Sequence, residues 1–596
     1  MEYSNSSKRN ISRRRFVLGA GSLLVATALP WSGRALSQQQ SNITAIPSLR
    51  GRQFQLDIGY QAVNFTGKER LATTVNGSLP APTLHWKQGE RVTIKVTNHL
   101  AETSSIHWHG MLLPTEMDGV PGLSYDGIKP GETFEYQFDV QQSGTYWYHS
   151  HSGYQEQTGI YGAIVIAPAD LDPVAYDREY VMVLSDWTDD DPADVYAKLK
   201  KQSHYYNYQE RTVSTLWDDI KDKGVSQTWR DRAMWNEMRM SDRDISDVTG
   251  TTYTFLVNGQ TPEQAWTGLF KKGEKIRLRF INAAAMTLFD VRIPNVKMTV
   301  VAADGNNIEP VTVDDFRIGV AETYDVIVEP EADIAHTIFA QAIDRTGFAY
   351  GVLTTDEHLK AELPELDPSP ILTMADMGMD PDMDHGRMMS EQPEHQMDHS
   401  MPMTMSANKM GTGLAGYGSA AMIKHKGSER GPQVDMLSEM PQYQLDDPGI
   451  GLRDHQPLYG RKVLTYADLR NLYPTPDPRE PTREIQLHLT GNMSRYMWSI
   501  DGIKYADAEP IQLKYGERVR FTLVNDTMMN HPMHLHGLWS DLETGDGEFI
   551  PRKHTVIVQP GSKISYLVTA DSRGCWAYHC HLMFHMLAMF REVRVT

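Results

Sequence analysis

An all-β fold of three Greek-key sandwiches in tandem follows from three observations. One pattern occurs three times: "WKQGERVTIKVTNHL" from Trp86, "FKKGEKIRLRFINAA" from Phe270 and "LKYGERVRFTLVNDT" from Leu513. Each reads Gly-Glu, then alternating apolar residues, then Asn, with equal spacing from Gly89 to Asn98, Gly273 to Asn282 and Gly516 to Asn525. Alternation of period two marks a half-buried strand. Each copy is preceded by a tight-turn pair, Asn76-Gly77, Asn258-Gly259 or Asp501-Gly502. Each is followed by a further strand-like run, "PGETFEYQF", "AETYDVIV" or "PGSKISYLV".

The copies lie roughly 180 to 240 residues apart, too far for a solenoid unit, so whole domains are duplicated. A chain of 596 residues also exceeds a single hydrophobic core. Sandwiches are therefore expected at 45–170, 172–365 and 455–596.

The remaining segments differ in composition. Residues 1–40 carry Ser12, Arg13, Arg14 and Phe16 in twin-arginine register, then an apolar run to Leu29 and small residues near Ala35. This reads as a cleaved export signal, too short to span a membrane. It implies the twin-arginine translocase as a partner, a periplasmic location and no membrane anchor. Residues 370–450 form a Met/His-rich stretch containing "MGMDPDMDHGRMMSEQPEHQMDHSMPMTM", which lacks periodicity and aliphatic residues. Such composition buries no core, so a flexible insert is expected before the third domain. A net charge of −19 excludes a nucleic-acid partner, and two Cys exclude a disulfide scaffold.

Four motifs hold ten of the 22 histidines: "HWHG" (His107, His109), "HSH" (His149, His151), "HPMHLHG" (His531, His534, His536) and "HCHLMFH" (His579, His581, His585). On a strand, residues i and i+2 share a face, so each His-x-His presents two imidazoles side by side. Eight imidazoles are too many for one metal and suit a cluster. "GTYWYHSH" from Gly144 aligns without gaps on "GCWAYHCH" from Gly574, setting Ser150 against Cys580. Two related domains thus offer two pairs each to a shared site. Cys580 points to the opposite face from His579 and His581, where His531 and His585 complete a two-imidazole, one-thiolate set selecting copper. A disulfide to Cys575 is excluded by the odd spacing on one strand, and Cys575 reads as a buried packing residue. An isolated structural zinc is disfavoured by the separate cluster.

At these residues the chain resembles the multicopper oxidases, the family of laccases, ceruloplasmin and bacterial cuprous oxidases. All four family motifs stand in order. The resemblance implies three cupredoxin-like domains, and the signal and Met-rich insert make the chain most similar to the periplasmic copper-resistance members. It also implies four copper ions. Type 1 copper would take Cys580, His531 and His585; type 2 copper would take His107 and His534. The two type 3 coppers would take His109, His149, His151, His536, His579 and His581. Asp118 in "MDGVPG" resembles the acid that relays protons to the cluster; a turn residue before Gly119 is the other reading. The family's axial type 1 position falls on Phe590, whereas Met589 gives the His-x3-Met spacing of smaller blue-copper proteins and is preferred. Met583 and Met586 read as packing residues.

The activity so implied is one-electron oxidation of a substrate coupled to four-electron reduction of O2 to water, with electrons leaving through Cys580. The second repeat has no His-x-His motif and is expected to bind no copper and to act as a spacer. Repeated Met-Asp-His units point to Cu(I) capture, with additional copper on Met383, His385, Met388, Met389, Met397, His399, Met401, Met403 and Met405. Cu(I) is then the substrate, delivered by a periplasmic copper carrier and oxidised to Cu(II). The alternatives are a laccase acting on small phenols and a non-enzymatic periplasmic copper-sequestering protein.

Overall fold

The computed structural model describes residues 46–379 and 415–596. Its strands form six sheets. In the first domain Arg70–Val75, Gln53–Val63, Arg91–Asn98 and Thr133–Asp139 face a five-stranded sheet that ends in Tyr161–Ala167, Gly144–His149 and His107–His109. Side chains of both sheets, among them Leu56, Ile94, Trp86, Trp108 and Tyr148, are buried in one apolar cluster. The third domain repeats the plan. Arg483–Asn492, Arg518–Asp526 and Ser562–Thr569 lie in one sheet, and Phe590–Val595, Gly574–Cys580, His531–Leu535 and Thr555–Val558 in the other. The second domain and the third share a continuous core that includes Phe280, Met286, Phe521 and Cys580.

The repeated Asn closes each copy in the same way. The Asn98 carboxamide donates to the carbonyls of Glu102 and Ile128 at 2.8 and 2.7 Å. Asn282 donates to Thr287 and Ile318 at 2.9 and 3.1 Å, and Asn525 to Met529 and Val558 at 2.7 and 3.0 Å. Each carboxamide oxygen accepts the N–H two residues on, from Leu100, Ala284 or Thr527. A buried amide thus stitches the strand end to the loop that leads, in the outer domains, into a histidine motif. The preceding turn pairs have positive φ at both residues, such as 53° and 69° at Asn76-Gly77, the conformation a two-residue hairpin turn needs.

Three features depart from expectation. Three helices, Pro192–Lys201, Val213–Lys223 and Val225–Met238, interrupt the second sandwich. The first starts on Asp191, whose side chain accepts from Ala193 N with Pro192 in the first turn, a start signal the β repeat overshadowed. Next, the flanks of the 370–450 segment pack: Met374, Met377 and Met436 are buried in the shared core, and Gln442–Tyr443 pairs with the strand Ser562–Thr569. Thioethers fill irregular apolar gaps, so Met-rich composition alone does not exclude burial. The expected copper-capture residues Met383 to Met405 lie outside the described residues. Third, Cys575 is half-buried rather than buried, because it opens its strand opposite Arg594. Neither Cys575 nor Cys580 is in a disulfide. Among the described residues no helix is long and apolar enough to cross a membrane.

Candidate metal centres

The strand Gly574–Cys580 serves two sites from its two faces. On one face the Cys580 sulfur lies 3.5 Å from His531 Nδ1 and 3.9 Å from His585 Nδ1, and those two nitrogens are 3.3 Å apart. All three side chains are fully buried. Both rings are turned by their far nitrogens. Thr527 Oγ1 donates to Asn525 Oδ1 and therefore accepts from His531 Nε2 at 2.7 Å. His585 Nε2 donates to Asp247 Oδ2 at 2.7 Å, and Tyr496 OH donates to the same oxygen at 2.9 Å. That leaves both Nδ1 lone pairs aimed at the sulfur, the orientation a metal requires. Trp498 stacks on His585 with centroids 3.8 Å apart. Burial, with the Asp247 carboxylate adding to it, pushes the Cys580 thiol well up, so the thiolate needs a cation beside it.

The residues after Cys580 separate the two axial candidates. Phe590 pairs with His579 across the strands, and its ring lies parallel to that imidazole, at 5° and 5.6 Å. It therefore stands on the cluster face. Met589 is fully buried in the core that holds Cys580, and its carbonyl accepts from Cys580 N at 3.1 Å. Met583 is buried, with its N–H on Ala285 O of the second domain.

On the other face the eight paired histidines meet. The rings within the pairs lie 5.6 Å (His107–His109), 5.9 Å (His149–His151), 4.6 Å (His534–His536) and 5.5 Å (His579–His581) apart. Their nitrogens converge in groups able to hold a metal, among them His109, His149 and His581; His151, His536 and His579; His107, His534 and His536; and, with a further ring, His109, His534 and His554. His107 stacks on His536 at 4.0 Å and His109 on His534 at 3.7 Å, so the domains interlock ring on ring.

Most outer nitrogens are held. His107 Nδ1 donates to Asp118 O at 2.7 Å, His534 Nδ1 to His554 O at 2.6 Å and His536 Nδ1 to Asp118 Oδ2 at 2.9 Å. His149 Nδ1 meets Glu156 Oε2 at 2.8 Å. Asp118 reaches both domains because the chain turns sharply at Gly119, where a Cβ would fall 1.9 Å from Ile106 O. Inward, the Nε2 atoms of His107, His109, His149, His534 and His581 are buried with no hydrogen-bond partner. Each would cost about 1–3 kcal/mol if left so, and a metal removes the cost. Burial first, then neighbouring rings, lowers His109, His151, His534, His536 and His581 well below the usual imidazole range, and brings His579 down to about 4. Neutral rings with free lone pairs are what a metal cluster takes, so the donor set fits copper.

Several contributors have no motif to betray them. Asp247 comes from the second domain, which therefore does more than separate its neighbours. Glu156 is buried beside the first group, with burial and the nearby Asp186 holding its carboxyl well above the usual range. His554 adds a ring 4.7 Å from His109, next to Lys553, whose ammonium lies 3.0 Å from both Asp304 and Glu322.

Three family models, each described as multicopper oxidase, match residues 57–170, 178–358 and 478–595. Copper resistance protein A of Escherichia coli is 55% identical over 612 residues, covering 98% of this chain and 99% of its own. The protein of the same name from Pseudomonas syringae pv. tomato is 54% identical over 610 residues, with the same coverage. Among solved structures, the laccase from Botrytis aclada has a TM-score of 0.60 at 19% identity, covering 92% of this chain and 88% of its own, a likeness of fold alone. Matched along most of its length, the chain belongs to the multicopper oxidase family, oxidoreductases that use O2.

Proposed function

We propose that the chain oxidises Cu(I) to Cu(II) and reduces O2 with the electrons: four Cu(I), four protons and one O2 give four Cu(II) and two waters. The observation that carries the reading is the position of Cys580 between His579 and His581, which belong to different three-histidine groups. A donor set built on a thiolate is thus one peptide link from both halves of the cluster. Storage of metal needs no such link. The Met-Asp-His units of the sequence and the name shared by the relatives at 54–55% identity favour Cu(I) as substrate.

Four coppers would be held: type 1 by His531, Cys580, His585 and Met589, type 2 by His107 and His534, and the type 3 pair by the remaining six paired histidines. Bound copper supplies the one-electron steps at Cys580 and the four-electron reduction at the cluster. The chain supplies the rest. Asp118 keeps His536 and His107 aimed, and its second oxygen, Oδ1, is buried beside the cluster without a hydrogen-bond partner, where it could pass protons on. Trp498 covers His585 and keeps water from it. The export signal places the protein in the periplasm through the twin-arginine translocase, where a copper carrier delivers Cu(I).

The test compares O2 uptake by the copper-loaded protein on Cu(I) and on a dimethoxyphenol, before and after deletion of 380–410. The deletion starts beyond Met377 because that residue is core. Selective loss of Cu(I) turnover is expected. Equal losses point to a laccase, and copper binding without O2 uptake points to sequestration.

A further inference from the structure

Away from both centres, four donor side chains converge in the third domain. His488 and Asp526 come from the neighbouring strands Arg483–Asn492 and Arg518–Asp526. His425 and Glu429 come from the segment that follows the Met-rich stretch and crosses the same sheet. His425 Nδ1 lies 3.0 Å from Glu429 Oε2 and 3.7 Å from Asp526 Oδ2. His488 Nδ1 lies 2.7 Å from Asp526 Oδ2 and 3.5 Å from Glu429 Oε2. The two rings are 4.7 Å apart.

The far nitrogens decide what the near ones are. His425 Nε2 lies 3.3 Å from Ser438 O, a carbonyl that only accepts, so Nε2 carries the hydrogen. His488 Nε2 faces Gln486 Oε1 at 3.5 Å, identified as the oxygen because it accepts from Lys424 N at 2.9 Å. In a neutral imidazole the hydrogen at Nε2 leaves a lone pair at Nδ1. Two such lone pairs then point at two carboxylate oxygens around one centre. Only added positive charge makes that arrangement stable. Two imidazolium rings paired with the two carboxylates would supply that charge as a proton in each Nδ1–oxygen contact, and one divalent ion supplies the same charge from a single point between all four donors.

The spacing fits the ion. Metal–ligand bonds of about 2.0–2.1 Å in a tetrahedron put donors about 3.3–3.4 Å apart, and the four separations above bracket that value. The outer contacts are those of ligands: each ring gives its far N–H to an oxygen, and Asp526 Oδ1 accepts from Ser438 N at 2.7 Å. Glu429 Oε1 is buried with no partner. His488, Asp526 and Glu429 are closed off, while the His425 side chain is 16% exposed and opens the route in. Two imidazoles and two carboxylates, with no sulfur, suit a borderline divalent ion, with Cu(II) bound ahead of Zn(II).

We propose that His425, Glu429, His488 and Asp526 bind a divalent cation of the Cu(II) or Zn(II) class, at a site separate from the histidine cluster and the Cys580 centre. The ion ties the segment after the Met-rich stretch to the sheet. It also adjoins the Cys580 centre, since Asp526 precedes Thr527, the hydrogen-bond partner of His531.

Crystals of the full copper-loaded protein, soaked in Zn(II) and separately in Cu(II), should show anomalous density about 2.0–2.2 Å from all four donors. An equimolar soak read at the two absorption edges should favour copper. His425→Ala and Glu429→Gln should each bind one metal equivalent fewer per chain, with the blue absorption of the Cys580 centre retained as proof of folding. No anomalous density among the four donors overturns the site. Blue variants that bind as much metal as the parent overturn it equally, and a variant that loses the blue colour leaves the decision to the anomalous data.

Discussion

The first and third domains present the same strand with opposite contents on one face. "GTYWYHSH" and "GCWAYHCH" both send two histidines inward, and each strand gives one ring to each of two groups able to hold a metal. Behind the strand the domains diverge. "SSIHWHG" aligns on "HPMHLHG" and "HSHSGYQ" on "HCHLMFH", so Ser104, Ser150 and Gln155 stand where His531, Cys580 and His585 stand. Those three are also in contact: Ser104 Oγ and Ser150 Oγ both donate to Gln155 Oε1, at 2.6 and 2.9 Å. A triad able to hold a metal in one domain is thus a hydrogen-bonded triad in the other. The histidine cluster draws on both copies, the thiolate triad occurs in one, and its counterpart in the other is filled by groups that satisfy one another. The second domain abandons both sets: Leu288, Val291 and Ile293, all buried and apolar, match His531, His534 and His536.

Converting Cys580 to its counterpart, Cys580→Ser, tests the comparison most severely. The blue absorption and turnover should fall below detection while metal analysis still finds the cluster copper. Surviving turnover would show that the sulfur is not what separates the domains. Next comes the shared face. Asp118 belongs to the first domain and holds His536 of the third, so Asp118→Asn should slow O2 uptake about 10²- to 10⁴-fold, the usual worth of a positioned proton donor. Anaerobic reduction of the blue centre should stay fast, because that centre lies on the other face. If Asp118 were only a turn residue, the two rates would fall together.

Asp247 marks what the third domain borrows and the first does without. Loss of a carboxylate behind a metal-bound imidazole typically costs about 10- to 100-fold in affinity or activity. Asp247→Asn should therefore shed type 1 copper to a chelator faster by that factor, measured by decay of the blue band. An unchanged decay would make the His585–Asp247 contact a packing detail.

These contrasts explain what was legible beforehand. Paired histidines and the Gly-to-Asn repeat are local patterns, set by strand period and turn chemistry, and a sequence displays them directly. Asp247, Glu156 and Asp304 act through contacts between distant parts of the chain, and no spacing announces a lone acid. His425 and His488 are single histidines 63 positions apart, joined only when one segment crosses a sheet. Met374 and Met436 read in the sequence like any methionine of that stretch, and only the fold shows that both are packed in the core. Phe590 meets His579 on the cluster face of its strand, a placement that strand pairing reveals and residue counting does not.

The smallest expected effect concerns the triad that holds no metal. If Ser104, Ser150 and Gln155 merely fill space, removing one hydroxyl should change nothing beyond a small gap. If they are a satisfied polar set, Ser104→Ala takes a donor from a buried amide oxygen that keeps Ser150. The loss should be about 0.5–1.5 kcal/mol, the net worth of a typical hydrogen bond, because the oxygen stays partly satisfied. A double variant with Ser150→Ala should cost more than the sum of its parts, since the oxygen then has no donor at all and carries its full desolvation penalty. Urea midpoints of the copper-loaded protein measure both. Strict additivity would mean the three groups are independent, and the likeness to the Cys580 triad would be one of position only.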